Sequence, residues 1–227
     1  MILLGLQVAE DYFGKVVVDN LGLLAAGYRS TLLLSAVAFA ASLALGTFVA
    51  VVRLAPVPIL PGIARAEVEV FRNTPLLVQM GFIFLGLGSL GIRLTPFTAA
   101  AAALSLYTAA FVTEAVRSGI ASVGEGQTDA ARSLGMSFRQ NMQHVILPQA
   151  IRTVIPPLGN LMIAMVKNSV LASVVAYPEL LYQVQILNSR SFKTLEVFSG
   201  AFIAFLTITL PLSFVVSRLE HRLRIIR

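Results

Sequence analysis

Five long stretches without a charged residue, one of them broken by a single lysine, dominate this sequence. They cover 31–52, 73–92, 94–113, 153–178 (interrupted only by Lys167) and 197–217. A helix needs about 20 mainly apolar residues to cross the hydrocarbon core of a bilayer. Inside lipid the backbone polar groups have no water to bind, so an open chain can cross only as helices. The sequence therefore predicts an all-α integral membrane protein with five transmembrane helices.

The composition excludes several other classes of protein. Of the 227 residues, 57% are hydrophobic and 12% are charged, against about 25% charged residues in ordinary soluble domains. The chain has no cysteine, which excludes disulfides and cysteine-ligated zinc. Its net charge of +6 is better explained by cytoplasmic loops of a membrane protein than by nucleic-acid binding. We expect no nucleic-acid partner, no metal site and contact with membrane lipid.

The ends of the chain and its basic residues predict boundaries and an orientation. Residues 8–28 mix charged and apolar side chains, which is typical of an interfacial amphipathic helix. We therefore expect an N-terminal tail and interfacial helix over 1–29, a transmembrane domain over 30–217 and a basic tail over 218–227. An N-terminus outside and a C-terminus in the cytoplasm put most basic residues on the inner side. In that orientation the inner segments hold Arg53, Arg65, Arg72, Arg117, Arg132, Arg139, Arg152, Arg218, Arg222, Arg224 and Arg227.

Small residues and one proline mark features inside the spans. Ala38, Ser42 and Gly46 recur at every fourth position of the first span. Such a stripe lets helix backbones approach closely in lipid, so it indicates helix packing. Pro75 lies near the start of the second span and predicts a kink there, because proline removes a backbone hydrogen bond.

Lys167 lies near the middle of the fourth span, about 10 residues from either end of 157–177. A lysine at that depth costs roughly 2.5–3.5 kcal/mol, and such residues face a cavity or pair with a partner. One interpretation is a structural pair with Glu69, Glu114 or Glu179, or bonds to carbonyl groups. The other is an anion site that a substrate carboxylate completes. The sequence leaves both open.

The segment 114–152 is far longer than a connection between two spans requires. Thr128 is predicted to cap a short helix that stops at Gly135, since glycine is the usual residue just past a helix end. Ser137 and Gln140 have the spacing of a capping box that opens another helix. Leu147-Pro148 and Pro156-Pro157 are expected to mark the entry into the fourth span. Two short helices joined at a glycine offer a surface to a cytoplasmic partner.

These residues carry a recognisable signature. Asp129-Ala-Ala, Gly135 and Val145-Ile-Leu-Pro148 resemble, at matching spacing, the EAA loop of ABC importer permeases. The chain departs from the signature only by Asp at 129 and Val at 145, and both changes keep the chemistry. Further stretches resemble polar amino acid permeases, nearest in look to the glutamate-type permeases of actinobacteria. They begin at Phe71 (FRNTPLLVQ), Glu114 (EAVRSGI), Ile146 (ILPQAIR), Pro157 (PLGN) and Lys167 (KNSVLASV).

The resemblance implies the transmembrane domain of a type I ABC importer in a bacterial cytoplasmic membrane. Two permease subunits, identical or homologous, would join two cytoplasmic ATP-binding subunits, and an extracellular solute-binding protein would deliver the cargo. ATP and Mg²⁺ would bind the partner, so this chain would need no cofactor and would not be an enzyme. The sequence holds no P-loop of its own. The predicted ATPase-coupling residues are Asp129, Ala130, Ala131, Leu134, Gly135, Met136, Phe138, Leu147 and Pro148.

The cargo implied is a polar amino acid, with glutamate or glutamine first, moved by alternating access. The residues predicted to line its path are Lys167, Asn168, Ser169, Asn73, Thr74 and Glu114. Three alternatives remain at this stage. They are an ion-coupled secondary carrier, a structural or regulatory membrane subunit without a path, and an importer for another small polar cargo such as a betaine.

Overall fold

The computed structural model describes residues 15–53 and 59–223, and every regular element in these two ranges is a helix. In chain order the helices are α1 Lys15–Asp19, α2 Leu21–Arg53, α3 Leu60–Asn73, α4 Leu76–Ser89, α5 Pro96–Ala121, α6 Glu125–Ser133, α7 Phe138–Val175, α8 Leu180–Ser191 and α9 Thr194–Leu223. Two of them contain a wider π-helical turn, α4 at Phe82–Gly86 and α7 at Met142–Ile146, and α7 ends in tighter 3₁₀ turns over Ser169–Val175.

Four of these helices are long and apolar enough to cross a membrane, namely α2, α5, α7 and α9. The pair α3 and α4 passes the same test only as one broken span, bent by 103°. The prediction of five spans is therefore confirmed if the bent pair counts as one span. Each of the four long helices extends beyond the apolar stretch that predicted it.

Several predicted boundaries are wrong. Residues 21–28 belong to the same continuous helix as the first span, so the interfacial helix expected over 8–28 is not a separate element there; residues 8–14 lie outside the described ranges. The helix containing the fourth span begins at Phe138 and continues through Pro156 and Pro157. The prolines therefore do not mark its start. In contrast, the segment 114–152 is helical except at 122–124 and 134–137, which agrees with the short helices predicted there.

Pro75 does more than kink a helix. The α3 helix ends at Asn73, the α4 helix begins at Leu76, and the chain turns sharply between them. The ring of Pro75 disfavours helical geometry at the preceding residue, and Thr74 is indeed extended, with φ −102° and ψ 133°. The proline therefore ends α3 and separates it from α4 within the broken span.

The chain divides into two compact units, which we describe separately. The first comprises the described residues up to Val37 with Leu77–Ala103 and Val166–Pro211. Its apolar core joins the first part of α2 to α8 and the first part of α9. The buried members of this core are Leu24, Leu180, Val184, Leu187, Val197 and Ala201.

The second unit comprises the described parts of Ala38–Leu76, Leu104–Met165 and the chain from Leu212. Here the small-residue stripe of α2 packs against α5, as the sequence predicts. The Ser105 hydroxyl donates to the Ala38 carbonyl oxygen at 3.2 Å, and the Thr113 hydroxyl donates to the Gly46 carbonyl oxygen at 3.0 Å. These bonds satisfy side-chain hydroxyls that would be costly if left bare in an apolar interior.

Gly46 sets the distance between α2 and α5. A Cβ atom added to it would lie 2.5 Å from the Ala109 carbonyl oxygen and 2.6 Å from Val112 Cβ. The same kind of contact recurs in this unit at Gly119, whose added Cβ would meet Val154 at 2.1 Å. Small residues therefore hold the helices of the second unit at close range, in the manner of membrane proteins.

We expect Gly46→Ala to lower the thermal midpoint of the detergent-solubilised protein, measured by fluorescence-detected size exclusion after heating. Alanine favours a helix by about 1 kcal/mol over glycine, but overpacking costs roughly 1–3 kcal/mol. Gly22→Ala is the matched control in the same helix, because nothing lies within 4 Å of its added Cβ. A midpoint for Gly46→Ala equal to or above that of Gly22→Ala would refute the close crossing.

Candidate functional site

The predicted coupling segment is a short helix with a defined end. The α6 helix begins at Glu125, with Gly124 as its cap. The prediction that Thr128 caps it is therefore wrong, because Thr128 lies inside the helix. At the other end Gly135 has φ +77°, a left-handed conformation that glycine adopts without the cost a Cβ imposes. The predicted stop at Gly135 is confirmed.

Two backbone hydrogen bonds close this helix end. The Met136 N–H donates to the Ala131 carbonyl oxygen at 3.1 Å, and the Gly135 N–H donates to the Arg132 carbonyl oxygen at 2.9 Å. This pair of bonds is the Schellman motif, which satisfies carbonyl groups that the helix itself leaves open. The turn between α6 and α7 therefore has one fixed shape.

The predicted capping box opens α7. The Gln140 N–H donates to Ser137 Oγ at 3.3 Å, and the Ser137 N–H donates to Gln140 Oε1 at 2.9 Å. Both ends of the short connection 134–137 are thus held by local hydrogen bonds. The local chemistry of these residues is enough to form the turn, which explains why the sequence revealed it.

The coupling segment presents apolar side chains outward. Leu134 is 81% exposed and Phe138 is 75% exposed. Ala131 is buried and Met136 is half-buried, so these two face the protein. Two large exposed apolar side chains on either side of a rigid turn form a surface suited to a partner. The other predicted coupling residues, Asp129, Ala130, Gly135, Leu147 and Pro148, are also exposed.

A charge cluster lies in the same unit, close to the end of α5. The Glu114 carboxylate accepts from Arg53 at one oxygen and from Arg117 Nε and Nη2 at the other, at 3.1 and 2.9 Å. The Arg53 side chain is only 11% exposed and the Glu114 side chain 24%. Both carboxylate oxygens are engaged, so Glu114 can meet a cargo only if this cluster opens. The sequence prediction missed Arg53 as its partner.

The predicted pathway residues of the fourth span lie in the first unit. Lys167 and Asn168 are the last two residues before α7 tightens into 3₁₀ turns at Ser169. Lys167 is exposed, and it forms no ion pair with any carboxylate among the described residues of its own unit. The buried Ser169 hydroxyl donates to the Val166 carbonyl oxygen at 2.7 Å. Because the number of residues per turn changes here, the side chains after Asn168 point in other directions than a continuous α-helix would give them.

Asn73 and Thr74, the other predicted pathway residues, lie in the second unit at the end of α3. The Asn73 amide donates to the Glu69 carbonyl oxygen at 2.8 Å, and the Thr74 hydroxyl donates to the Val70 carbonyl oxygen at 2.8 Å. These donors satisfy the open carbonyl groups of a helix that Pro75 interrupts. Their observed role is to complete the helix end.

Comparison with known proteins gives the same assignment as the sequence signature. Residues 21–225 match a family model described as "Binding-protein-dependent transport system inner membrane component". The chain is 43% identical over 209 residues to the probable glutamine ABC transporter permease protein GlnM of Bacillus subtilis, covering 92% of this chain and 97% of that protein. It is 37% identical over 194 residues to the glutamate transport system permease protein GluC of Corynebacterium glutamicum, covering 79% and 85%.

A solved structure extends the similarity to the fold. A crystal structure of an amino acid ABC transporter with histidines contains a chain that is 35% identical to this one. The two superpose with a TM-score of 0.87 over 91% of this chain and 96% of the other. Sequence signature, family model and fold agree over almost the whole length. The chain belongs to the family of inner membrane components of binding-protein-dependent transport systems, the permease subunits of ABC importers.

Proposed function

We propose that this chain forms the translocation path of an ATP-driven importer for a polar amino acid, with glutamine or glutamate as the first candidates. The observation that carries the proposal is the nearly full-length identity to permeases named for these two amino acids. The chain is a multi-pass protein of the cytoplasmic membrane, and the family works with ATP-binding and solute-binding partners. ATP hydrolysis, with its Mg²⁺, belongs in our proposal to the partner, not to this chain.

In this proposal two permease subunits, identical or homologous, assemble with two ATP-binding subunits. Closure of the ATP-binding pair would press on the coupling segment and turn the path toward the binding protein, and hydrolysis would reset it. This is a two-state coupling between two distinct sites, the coupling segment and the cargo path. It requires that α6 move with the helices around it.

Our proposal places the N-terminus outside and the coupling segment in the cytoplasm. The segment lies between two spans, α5 and α7, and contains Arg132 and Arg139. Cytoplasmic connections of membrane proteins are enriched in Arg and Lys. The connection that holds α8 would then face outward, where a solute-binding protein docks.

Because the chain has no cysteine, single cysteines can test this orientation in intact cells. Ser189→Cys in α8 and Ser133→Cys in α6 both replace exposed serines. We expect a membrane-impermeant maleimide to label Ser189→Cys in intact cells and Ser133→Cys only after permeabilisation. The opposite pattern would reverse the proposed orientation.

The shape of the α6 end supports its role as the contact with the ATP-binding subunit. Leu134 and Phe138 project outward from a turn that the Schellman motif and the capping box hold on both sides. A rigid turn keeps these two side chains in a fixed relation, which lowers the entropy cost of docking them into an apolar groove. Gly135 is needed for that turn because its φ is +77°.

We expect Gly135→Val to uncouple ATP hydrolysis from import while the protein still inserts into the membrane. A β-branched residue in the left-handed region costs roughly 1–2 kcal/mol and will reshape the turn. The matched control is Gly126→Val inside α6, where space is also open but φ is ordinary. The measurements are copurification of the ATP-binding subunit and import in proteoliposomes. Normal copurification and import by Gly135→Val would disprove the assignment.

Lys167 supports an anion site in the cargo path. In the part of its unit that the structure describes, no carboxylate pairs with Lys167, and a charged side chain within a span is costly unless something compensates it. An amino acid offers a carboxylate at its common head group, and the pair gains more in a low-dielectric cavity than in water. We propose that Lys167, with Asn168 and Ser169 beside it, binds this group and leaves side-chain choice mainly to the binding protein.

Lys167→Met tests the anion site, because it removes the charge and keeps the length. Hydrogen bonds to charged groups contribute about 1.5–3 kcal/mol, so we expect import to fall roughly tenfold to a hundredfold with assembly and basal ATPase intact. The matched control is Lys15→Met, at an exposed lysine of α1. If Lys167→Met imports with the wild-type rate and apparent affinity, the lysine has a structural role.

Import by the wild-type protein without ATP would instead favour a secondary carrier.

A further inference from the structure

Glu179 is a completely buried acidic residue that the proposed transport path does not use. It lies between α7 and α8 and has no exposed surface. Its carboxylate accepts from the Leu181 N–H at 2.8 Å and from the Tyr182 N–H at 2.7 Å. These are two of the backbone donors that the first turn of α8 leaves open. Glu179 therefore caps α8 from inside the protein.

The capped end of α8 sits directly on α2. A Cβ added to Gly27 would lie 2.9 Å from Leu180 Cα and 3.1 Å from the Glu179 carbonyl oxygen. The Leu180 N–H donates to the buried Thr31 hydroxyl oxygen at 3.1 Å. Gly27 and Thr31 are one helical turn apart on α2, so both contacts fall on the same face. These contacts fix where the first turn of α8 meets α2, beside the apolar core that the rest of α8 shares with α2 and α9.

Burial raises the pKa of the Glu179 carboxyl to about 7, and the two N–H donors with the Thr31 hydroxyl offset only part of that rise. The pKa is therefore within the range where external pH varies. Because the folded-state value lies above the unfolded one, the neutral form is the one that burial favours. The contribution of Glu179 to the free energy of unfolding is therefore greatest at low pH, and it is lost as the pH rises through about 7.

Among the described residues, the groups around Glu179 include no cationic partner for its charge. The titratable group that interacts with it is Tyr177, whose hydroxyl donates to the Ser30 carbonyl oxygen at 3.3 Å. On α2 the Tyr28 hydroxyl is bonded to the Thr207 hydroxyl, and Arg29 is exposed. None of the ion pairs of the described residues involves Glu179.

The charged groups on the other described helices of this unit have partners of their own or lie exposed. On α8 itself, Tyr182 receives the cap through its backbone and Arg190 lies exposed near the far end. On α9, Glu196 accepts from the Val16 N–H at 3.0 Å and lies 3.8 Å from Lys193 Nζ. The two histidines of the chain, His144 and His221, belong to the other compact unit.

We propose that Glu179 is a positioning residue for import: its neutral carboxyl group holds the first turn of α8 on α2, and loss of its proton loosens that attachment. The ionised carboxylate has no exposed surface and no cationic partner among the described residues, so only the two N–H groups of α8 and the Thr31 hydroxyl offset the cost of burying its charge. The neutral group still has an oxygen that accepts from α8, and it has no charge to desolvate. The α8 helix therefore has a tight and a loose state, selected by one proton that is exchanged with the surrounding water.

The attachment of α8 can be measured without any cargo. Arg29→Cys on α2 and Ser189→Cys on α8 replace exposed residues of the first unit in a chain with no cysteine. With spin labels at these two sites, pulsed electron paramagnetic resonance measures the distance between α2 and α8 in nanodiscs. Between about pH 5.5 and 8.5 the neutral fraction of a group with a pKa near 7 changes roughly thirtyfold.

We expect the wild-type distance distribution to change over this range with a midpoint near pH 7. Glu179→Gln cannot ionise, so it should keep the acid-form distribution at every pH. Glu196→Gln, at the other buried carboxylate of the same unit, should titrate like wild type. Glu179→Asp keeps a carboxylate, so its midpoint should move, and this variant serves if Glu179→Gln fails to fold. An unchanged wild-type distribution, a Glu179→Gln that titrates like wild type, or an unmoved midpoint in Glu179→Asp would overturn the proposal.

The role in import rests on the proposed function and has its own measurement. The import rates of wild type and Glu179→Gln should be equal at acid pH and differ at alkaline pH. The rate of wild type should depend on pH in this way, whereas that of Glu179→Gln should not. Parallel pH profiles would overturn the role in import even if α8 moves. Absence of import by wild type at any pH would instead count against the proposed function and leave the distance measurement valid.

Discussion

The close crossing of α2 and α5 at Gly46 is the constraint on which the second unit depends. In lipid the solvent is as apolar as the side chains, so helices associate through close packing and hydrogen bonds between them. Both are present here, because the Gly46 backbone approaches Ala109 and its carbonyl oxygen accepts from Thr113. Thr113 also donates toward its own helix at Ala109, so the hydroxyl bridges two helices. A larger residue at 46 would break both kinds of contact together.

Features that depend on a few neighbouring residues could be predicted from the sequence. The left-handed stop at Gly135 and the box of Ser137 with Gln140 are both set by local backbone chemistry. The packing role of the small-residue stripe followed from its spacing alone. The resemblance carried by Asp129, Gly135 and Pro148 correctly identified the family, because a signature of that length rarely arises by chance.

Helix ends could not be predicted from the apolar stretches. Those stretches measure the thickness of a lipid core, whereas α2 and α7 continue beyond it at Leu21 and Phe138. Proline was the other source of error. Pro156 and Pro157 lie inside a continuous helix, while Pro75 interrupts the chain completely. Whether a neighbouring structure compensates for the lost hydrogen bond decides between these outcomes, and the sequence does not contain that information.

Polar contacts between residues far apart in the chain also could not be predicted from the sequence. Arg53 and Glu114 are 61 positions apart, and nothing local links them. The sequence presents Glu179 only as one of three possible partners of Lys167, yet tertiary packing buries it completely on α2. Its cap on α8 needed only the next three residues, but its burial needed Gly27 and Thr31. Desolvation has the largest effect on the pKa of such a buried acid, and it depends on tertiary packing, which the residue and its neighbours in sequence do not show.

The contacts of the second unit explain how a push on α6 can reach more than one helix. The α6 helix is joined to α5 and α7 by the short links 122–124 and 134–137. Just beyond these links, Gly119 of α5 packs on Val154 of α7, and Glu114 of α5 binds Arg53 at the end of α2. Close-packed interfaces of this kind transmit displacement instead of absorbing it. A force on Leu134 and Phe138 should therefore move α2, α5 and α7 together in this unit, as the proposed coupling role of α6 requires.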